Sequence, residues 1–309
     1  MTDKRIIFMG TPEISATVLE GLISAGYNVV AVIAQPDRPV GRKKILEPVP
    51  TKVVAEKHNI PVYQPVKIRK EYDFVNEIKP DVIITLAYGQ IVPQGLLVIP
   101  TYGCINLHGS LLPKYRGAAP IQYALMNNET VTGMTLMKMV KEMDAGEMYM
   151  KEEVEISPKD NSTSLFIKMG DAALRLILKA LPLYLDGQLP GVPQDESQVT
   201  FAPSIKPEEE KLDLNKSKEQ LFGFIRALSD VPGAYLYLDE LKFKIYQSEI
   251  ISNEMLGEVG EIVKADKKGL YLQTSNGILS LRRLIYRVKS RTLSLARTIK
   301  NAVINITAS

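Results

Sequence analysis

An amide and an imidazole lie close together at the end of an apolar run. The run is Cys104-Ile105-Asn106-Leu107-His108, and a segment rich in glycine and proline follows it. Alternation along a strand places the side chains of Asn106 and His108 on one face. The amide could donate to an oxygen that gains negative charge, and the imidazole could move a proton. The pair therefore predicts an acyl-transfer site, although a lone histidine near a strand end is more often structural.

One carboxylate could complete this site. Asp144 lies in Met143-Asp144-Ala145-Gly146, between two predicted strands. There it could orient the imidazole and raise its basicity. An Asp-x-Gly sequence is also a common turn, so the motif alone is weak evidence for catalysis.

Histidine and cysteine are scarce in the 309 residues, which contain only His58, His108 and Cys104. These three residues exclude an intrachain disulfide and an all-His/Cys tetrahedral metal site, and we expect no metal. The sequence also lacks a P-loop, a G-x-S-x-G elbow and the G-x-G-x-x-G fingerprint, which disfavours phosphotransferases, α/β-hydrolases and nicotinamide-dependent oxidoreductases. Because His58 is predicted at an exposed helix end, imidazole chemistry rests on His108.

Apolar runs alternate with helical patterns in the first half of the chain. Strands are predicted at residues 5–9, 28–34, 62–64, 81–86 and 104–108, and helices at 12–25, 51–58, 71–78 and 121–127. Thr11 is the expected N-cap of the first helix, with Pro12 at its first position. This order predicts an α/β fold with a doubly wound, mostly parallel sheet. Ligands should then bind in the loops after Leu86 and His108.

The length suggests two domains, at about 150 residues each. Two strands at residues 131–139 and 147–155 and a helix at 161–185 complete a catalytic domain, residues 1–188. The proline-rich residues 189–207 lack a periodic pattern and predict a linker. A helix at 218–228 and five short strands between residues 234 and 284 favour an OB-like β-barrel in residues 208–309.

The net charge of +3 is unevenly distributed, with −1 over residues 1–208 and +4 over residues 209–309. A basic run starts at Arg282, and a second cluster lies at residues 38–44. Each cluster could simply be solvated surface, and the more specific interpretation is that it binds a polyanionic partner. No apolar run approaches the ~18 residues of a membrane span, so we expect a cytoplasmic protein without membrane contact.

Several motifs share a recognisable pattern. They are Asn106-Leu107-His108, Gly109-Ser110-Leu111-Leu112-Pro113, Arg116-Gly117-Ala118-Ala119-Pro120 and Asp144-x-Gly146. Together they resemble the formyltransferase family that uses 10-formyltetrahydrofolate. Phe8-Met9-Gly10-Thr11-Pro12, Gln35-Pro36-Asp37-Arg38-Pro39-Val40-Gly41-Arg42 and Ala87-Tyr88-Gly89 are similar to family members that act on an aminoacylated tRNA. The match is almost continuous from residue 5 to about residue 281.

The resemblance implies a reaction and three catalytic residues. A formyl group would pass from 10-formyltetrahydrofolate to the α-amine of methionine on initiator Met-tRNA. The amine is the nucleophile, so no protein nucleophile is needed. Asn106 would hold the formyl oxygen, His108 would manage the proton of the amine, and Asp144 would orient His108.

The resemblance also implies two binding regions. Backbone groups would line the folate site at Ser110, Leu111, Leu112 and Pro113. A loop at residues 38–46 would reach the acceptor end of the tRNA with Arg38, Arg42, Lys43 and Lys44. The C-terminal barrel would offer a basic face to the tRNA body, and we expect the chain to act as a monomer.

Alternatives stay open at this point. A formyltransferase acting on glycinamide ribonucleotide, or a hydrolase using water, would employ the same three catalytic residues. A non-catalytic RNA-binding protein would leave those residues unexplained. The sequence departs from the family at Ser229-Asp230-Val231, where relatives usually have a Trp-Pro pair, and again after Leu281. The basic run there would arise either from a tRNA surface or from a change of reading frame.

Overall fold

The computed structural model describes residues 3–40, 45–238 and 241–286, and their contacts separate two compact units. The first unit contains Met1–Ala118, Val131–Glu155 and Phe166–Ala202. The second contains Ala119–Thr130, Ile156–Leu165 and the described part of Pro203–Ser309. Two short segments that precede residue 203 therefore contribute to the second unit.

The strands and helices follow the predicted alternation. The strands are β1 (Ile6–Gly10), β2 (Val29–Ile33), β3 (Arg38–Val40), β4 (Ile45–Glu47), β5 (Val62–Tyr63), β6 (Val82–Leu86), β7 (Cys104–His108), β8 (Val131–Lys138), β9 (Met148–Glu155), β10 (Ala234–Leu238), β11 (Leu241–Ser252), β12 (Ile262–Asp266), β13 (Gly269–Thr274) and β14 (Gly277–Tyr286). The helices are α1 (Glu13–Ser24), α2 (Pro50–Lys57), α3 (Phe74–Ile78), α4 (Gln94–Leu97), α5 (Pro120–Met126), α6 (Ser162–Leu185) and α7 (Lys218–Leu228).

A seven-stranded sheet forms the centre of the first unit, in the order β5-β2-β1-β6-β7-β8-β9. The strands from β5 to β7 pair in parallel, and β8 and β9 add antiparallel at one edge. Every residue of β1 and β6 is buried, which explains why these strands are apolar apart from Thr85 of β6. The predicted doubly wound, mostly parallel sheet is confirmed.

The expectation that Thr11 caps the first helix is wrong. Pro12 occupies the N-cap position of α1, and no side chain caps it. The Thr11 hydroxyl instead donates to Tyr88 O at 3.1 Å and accepts from Gln35 N at 3.2 Å. Thr11 thus joins the carboxyl ends of β1, β2 and β6, a use that local capping rules do not anticipate.

An antiparallel sheet and α7 form the core of the second unit. The sheet has the order β10-β11-β14-β13-β12, so the predicted small β domain is confirmed. Leu221, Ile225 and Leu228 of α7 join a buried cluster with side chains from all five strands. The capping box of Ser217 and Gln220 starts the helix at its predicted first residue.

The start of the basic run lies on β14. Arg282 forms an ion pair with Glu249, and Arg283 forms one with Asp230. These two charges are therefore partly neutralised within the second unit. The rest of the basic run, from Arg287 onward, lies outside the described residues. No helix in the described ranges is long and apolar enough to cross a membrane.

Candidate active site

His108 is the last residue of β7 and is only 5% exposed. Its Nε2 lies 2.9 Å from Tyr115 O, and its Nδ1 lies 3.6 Å from Asp144 Oδ2. Each ring nitrogen therefore faces an oxygen. A neutral imidazole can donate to only one of them, whereas the protonated ring can donate to both. The surroundings of this side chain suit a group that gains a proton during a reaction.

Asp144 lies in the second half of the β8–β9 connection, which turns back toward His108. Its Oδ2 accepts from Gly117 N at 2.8 Å. Its backbone is left-handed, with a φ of 53°, a conformation that aspartate adopts more readily than most residues. The carboxylate is thus held by one backbone donor while it faces the imidazole.

The β8–β9 connection leaves the sheet beside the start of β7, whereas His108 lies at the end of β7. Lys138, the last residue of β8, pairs with Ile105, whereas Thr135 pairs with His108. Three residues of strand separate these positions, or about 10 Å. The connection must therefore turn back by about this distance to bring Asp144 to His108.

Gly146 is required by this return path. A Cβ at position 146 would lie 1.9 Å from Lys138 O, which is a backbone atom of the sheet. Only glycine permits so close an approach. The Asp144-x-Gly146 spacing is therefore set by packing of the loop against β8 as well as by turn chemistry.

Asn106 lies on β7 two residues before His108 and is partly exposed. Across the described ranges of the chain, no hydrogen bond to its amide is found. Its neighbour in register on β6 is Thr85, which is 5% exposed and whose hydroxyl also lacks a protein partner in those ranges. Register neighbours in a parallel sheet point to the same face. Two polar groups that the described protein leaves unsatisfied therefore adjoin the imidazole.

The segment predicted to line the folate site is tied tightly to the sheet. Ser110 O accepts from the Thr135 hydroxyl at 2.7 Å, and Leu112 N donates to that hydroxyl at 3.2 Å. Leu112 O accepts from Lys151 Nζ at 2.5 Å. Ser110 and Leu112 are fully buried, whereas Leu111 and Pro113 are partly exposed. These bonds fix the shape of the loop beside Asn106 and use three of its backbone groups.

A cavity of about 720 Å³ lies at the carboxyl ends of β1, β2 and β6. Its walls include Thr11, Gln35, Arg38 and the Ala87-Tyr88-Gly89 turn. The strand order reverses at this point, because β2 and β5 lie on one side of β1 whereas β6 and β7 lie on the other. Such crevices are the usual ligand sites of doubly wound sheets. The loop after Leu86 therefore lines a cavity, as its position suggested.

The predicted tRNA loop begins as a hairpin. Arg38 is exposed on β3, which pairs with β4, while Arg42, Lys43 and Lys44 lie outside the described residues. Asp37 joins the two ends of the hairpin, since its carboxylate accepts from Val49 N at 3.3 Å and Lys52 Nζ at 2.5 Å. Burial opposes ionisation of Asp37, but these donors and Gln64 Nε2 lower the pKa of its carboxyl below the usual range.

The remaining histidine and the cysteine play structural roles. His58 ends α2, and its Nε2 lies 3.1 Å from both carboxylate oxygens of Glu20. Burial raises the pKa of the Cys104 thiol to about 12, so this thiol is a poor nucleophile. In the described part of the chain, His, Cys, Asp and Glu form no cluster of three or more that could hold a metal ion.

Sequence reasoning missed one part of the site. Gln194 donates to Asp144 O at 2.7 Å and to Gly146 O at 2.9 Å, and Arg116 in turn donates to Gln194 Oε1 at 3.0 Å. Gln194 lies in the segment predicted as a linker, where no pattern signals a role. Arg116 belongs to one of the motifs that resemble the family, but its sequence does not indicate that it contacts Gln194 and Glu196.

Two family models match the chain. The model described as formyl transferase matches residues 4–181, and the model described as formyl transferase, C-terminal domain, matches residues 204–298. Methionyl-tRNA formyltransferase of Bacillus cereus (strain B4264) is 47% identical over 274 residues, which cover 88% of this chain and 87% of the relative. The protein of that name from Bacillus thuringiensis subsp. konkukian (strain 97-27) is 46% identical over the same lengths.

Solved structures share the fold at low identity. HypX from Aquifex aeolicus in complex with tetrahydrofolic acid is 17% identical with a TM-score of 0.65, covering 98% of this chain and 48% of that one. WlaRD, a sugar 3N-formyl transferase solved in the presence of dTDP and 5-N-formyl-THF, is 16% identical with a TM-score of 0.68. That match covers 91% of this chain and 98% of that one.

Proposed function

The chain belongs to the formyl transferase family, and we propose that it transfers the formyl group of 10-formyltetrahydrofolate to the α-amine of methionine on initiator Met-tRNA. The product, formylmethionyl-tRNA, serves translation initiation. The observation that carries the choice of acceptor is the 47% identity to a methionyl-tRNA formyltransferase over 88% of the chain. That match covers most of the chain, whereas the alternative acceptors are suggested only by the three proposed catalytic residues.

The site supports attack by an amine without a protein nucleophile. We propose that Asn106 donates its amide N–H to the formyl oxygen, where negative charge develops as the amine adds. Its unsatisfied amide, half-buried beside the unsatisfied Thr85 hydroxyl, fits an oxygen ligand at this position. The folate supplies the formyl group when it is bound.

His108 and Asp144 are proposed to take the proton that the amine loses as its bond to the formyl carbon forms, and to return a proton to the folate nitrogen as its bond to that carbon breaks. The Asp144 carboxylate, 3.6 Å from Nδ1, stabilises the ring when it becomes charged. Nε2 is engaged with Tyr115 O at 2.9 Å, so the amine must exchange with that carbonyl or approach from the Nδ1 side. Active-site contacts of this kind often tighten or exchange only when substrate is bound.

We propose that Ser110, Leu111, Leu112 and Pro113 line the folate site. The support is their position, because they follow His108 directly and are fixed by Thr135 and Lys151. A neutral pterin ring needs donors and acceptors more than it needs charge. A segment whose shape is already set would offer its remaining backbone groups at low entropic cost.

The tRNA contacts are proposed on both units. In the first unit, the hairpin that carries Arg38, Arg42, Lys43 and Lys44 would contact phosphates of the acceptor end. In the second unit, Lys211 and Lys242 lie over the rings of Tyr237 and Tyr235, at 5.9 and 3.4 Å from the ring centroids. The two lysines and Tyr237 are exposed, whereas Tyr235 is buried, and exposed basic and aromatic side chains together are typical of surfaces that bind nucleic acid.

We further propose a catalytic domain at residues 1–188, a linker at residues 189–207 and a tRNA-binding domain at residues 208–309. The limits of the two family models support this division. The chain would act as a monomer in the cytoplasm, where initiator tRNA is used, because one chain supplies all the contacts proposed above.

A formyl-transfer assay with 10-formyltetrahydrofolate tests the proposal. Met-tRNA, glycinamide ribonucleotide and water are compared as acceptors at equal enzyme concentration. We expect Met-tRNA to be formylated with by far the largest kcat/KM. Preferential formylation of the ribonucleotide, or release of formate without an acceptor, would overturn the assignment and support one of the two alternatives.

The same assay examines the hairpin. Arg42→Ala is expected to raise the KM for Met-tRNA more than the KM for the folate, because one phosphate contact is lost. Arg175→Ala is a suitable control, since Arg175 is 59% exposed on α6 and pairs with Glu152. Unchanged kinetics of Arg42→Ala at physiological salt would remove the hairpin from the proposal.

A further inference from the structure

A segment after α6 reaches back to the loop that carries Asp144. The Gln194 side chain donates both N–H groups to this loop, to Asp144 O at 2.7 Å and Gly146 O at 2.9 Å. The segment is fixed before Gln194, because Val192 and Met148 exchange two backbone hydrogen bonds of 2.8 Å. Beyond Gln194, Thr200 O and Ala202 N both bond to the backbone of Arg116.

Arg116 determines which way the Gln194 amide points. Arg116 Nε donates to Gln194 Oε1 at 3.0 Å. A guanidinium can only donate, so the oxygen of the amide must face it and both N–H groups must face the loop. Arg116 is 6% exposed, and its charge is balanced by Glu196, whose carboxylate it contacts at 2.7 and 3.3 Å.

The loop needs such a restraint. It leaves β8 beside Ile105, at the far end of β7 from His108, and must return by about 10 Å. Gln194 holds the returned loop by two of its backbone carbonyls, those of Asp144 and Gly146. Gly117 N holds the carboxylate itself, from the residue next to Arg116.

We propose that Gln194 is a positioning residue that sets the Asp144 carboxylate against His108, with Arg116 orienting the Gln194 amide. This inference rests on the proposed function, because it assumes that Asp144 acts through His108 in formyl transfer. It assigns a role in catalysis to a segment that has the composition of a linker. Gln194 itself touches no reacting atom.

The test compares Gln194→Glu with Gln198→Glu. Glutamate keeps the size of the side chain and still accepts from Arg116, but it places an oxygen opposite two carbonyl oxygens. Gln198 is the matched control, since it lies in the same segment and its Nε2 bonds only locally, to Asp195 Oδ2 at 2.8 Å. Thermal unfolding of each variant checks that it is folded, and Gln194→Ala serves as a milder second variant.

We expect Gln194→Glu to lower kcat by about 10- to 100-fold, the range for a catalytic group misplaced by up to about 1 Å. The KM values for Met-tRNA and for the folate should stay within about twofold, and Gln198→Glu should behave as wild type. Wild-type kcat for folded Gln194→Glu, or an equal loss in Gln198→Glu, would overturn the proposal.

A double-mutant cycle separates positioning from general support of the fold. If Gln194 acts by placing the Asp144 carboxylate, Gln194→Glu should have no further effect on kcat in the Asp144→Ala background. A loss that multiplies in that background would overturn the positioning role.

Hydrogen exchange of residues 140–147 tests the restraint without any activity. We expect faster exchange of these amides in Gln194→Glu than in wild type and in Gln198→Glu. Unchanged exchange would overturn the proposal, whereas absence of formyl transfer by the wild-type chain would overturn only the proposed function.

Discussion

Replacing Gly146 with alanine directly perturbs the placement of Asp144. The new Cβ would lie 1.9 Å from Lys138 O, whereas carbon–oxygen contacts need about 3.3 Å. One of the two backbones must therefore move by about 1.4 Å. Lys138 lies in a strand that is paired on both sides, so the loop is the part that yields. Asp144 is already 3.6 Å from His108, and a shift of this size would separate them.

The expected result follows from that displacement. Misplacing a catalytic group by about 1 Å costs up to about 10²-fold, so we expect kcat to fall by about 10- to 100-fold. The KM values for Met-tRNA and folate should change by no more than about twofold, because the loop is not proposed to bind either substrate. Steady-state formyl transfer with each substrate varied in turn measures both quantities.

Gly170→Ala is the control, because a Cβ at that helical position meets Ile14 at an ordinary 3.4 Å. Both variants are checked by thermal unfolding, where overpacking at position 146 is expected to cost about 1–3 kcal/mol. Wild-type kcat in folded Gly146→Ala would refute the reasoning, since it would show that catalysis tolerates a displaced loop.

Three further predictions concern separate parts of the chain. Asn106→Ala should lower kcat by about 10²–10³-fold with unchanged thermal stability, because its amide bonds to no described protein group, and a rate near wild type would exclude it as the oxyanion donor. Asp37→Asn should reduce the free energy of unfolding by about 1–2 kcal/mol at pH 7 in urea titrations. Because the pKa of Asp37 is lowered in the folded protein, this difference should be full above the ordinary value of 3.8 and shrink as the pH falls below it, and a difference independent of pH would contradict the ion pair. Lys242→Ala should weaken Met-tRNA binding and reduce its salt dependence by about one ion, whereas Lys216→Ala, whose lysine pairs with Asp213 at 3.9 Å, should not, and equal effects would contradict the assigned surface.

The fold was largely predictable because its signals are local. Fully buried parallel strands give short apolar runs, as in β1 and, apart from Thr85, in β6, and α7 carries its own capping box at Ser217 and Gln220. The hairpin β3–β4 and the helix α4 were not predicted, because three or four residues are too few for a period to appear. Thr11 was misassigned as a cap because its hydroxyl bonds to Tyr88, 77 residues away.

The site was predictable only in part. Alternation along β7 places Asn106 and His108 on one face, and the end of a strand is the expected place for chemistry. Strand topology alone places the Asp144 loop near Ile105 rather than His108, so its Asp-x-Gly sequence was weak evidence for catalysis until the family resemblance was added. The contacts of Gln194 span 48 and 50 residues and leave no periodic trace in the sequence.

These long-range contacts also explain how an asparagine, a histidine and an aspartate could form the proposed site. In the proposed reaction the amine of the acceptor is the nucleophile, so the protein would have to hold an amide donor, an imidazole and a carboxylate in fixed relation rather than activate a nucleophile of its own. Two of these groups lie on one strand and need little restraint. The third comes from a loop that starts about 10 Å away along the sheet, and its position depends on Gly146, Gly117 and Gln194. Substitutions that loosen this loop should therefore reduce kcat more than substitutions of similar size elsewhere in the first unit.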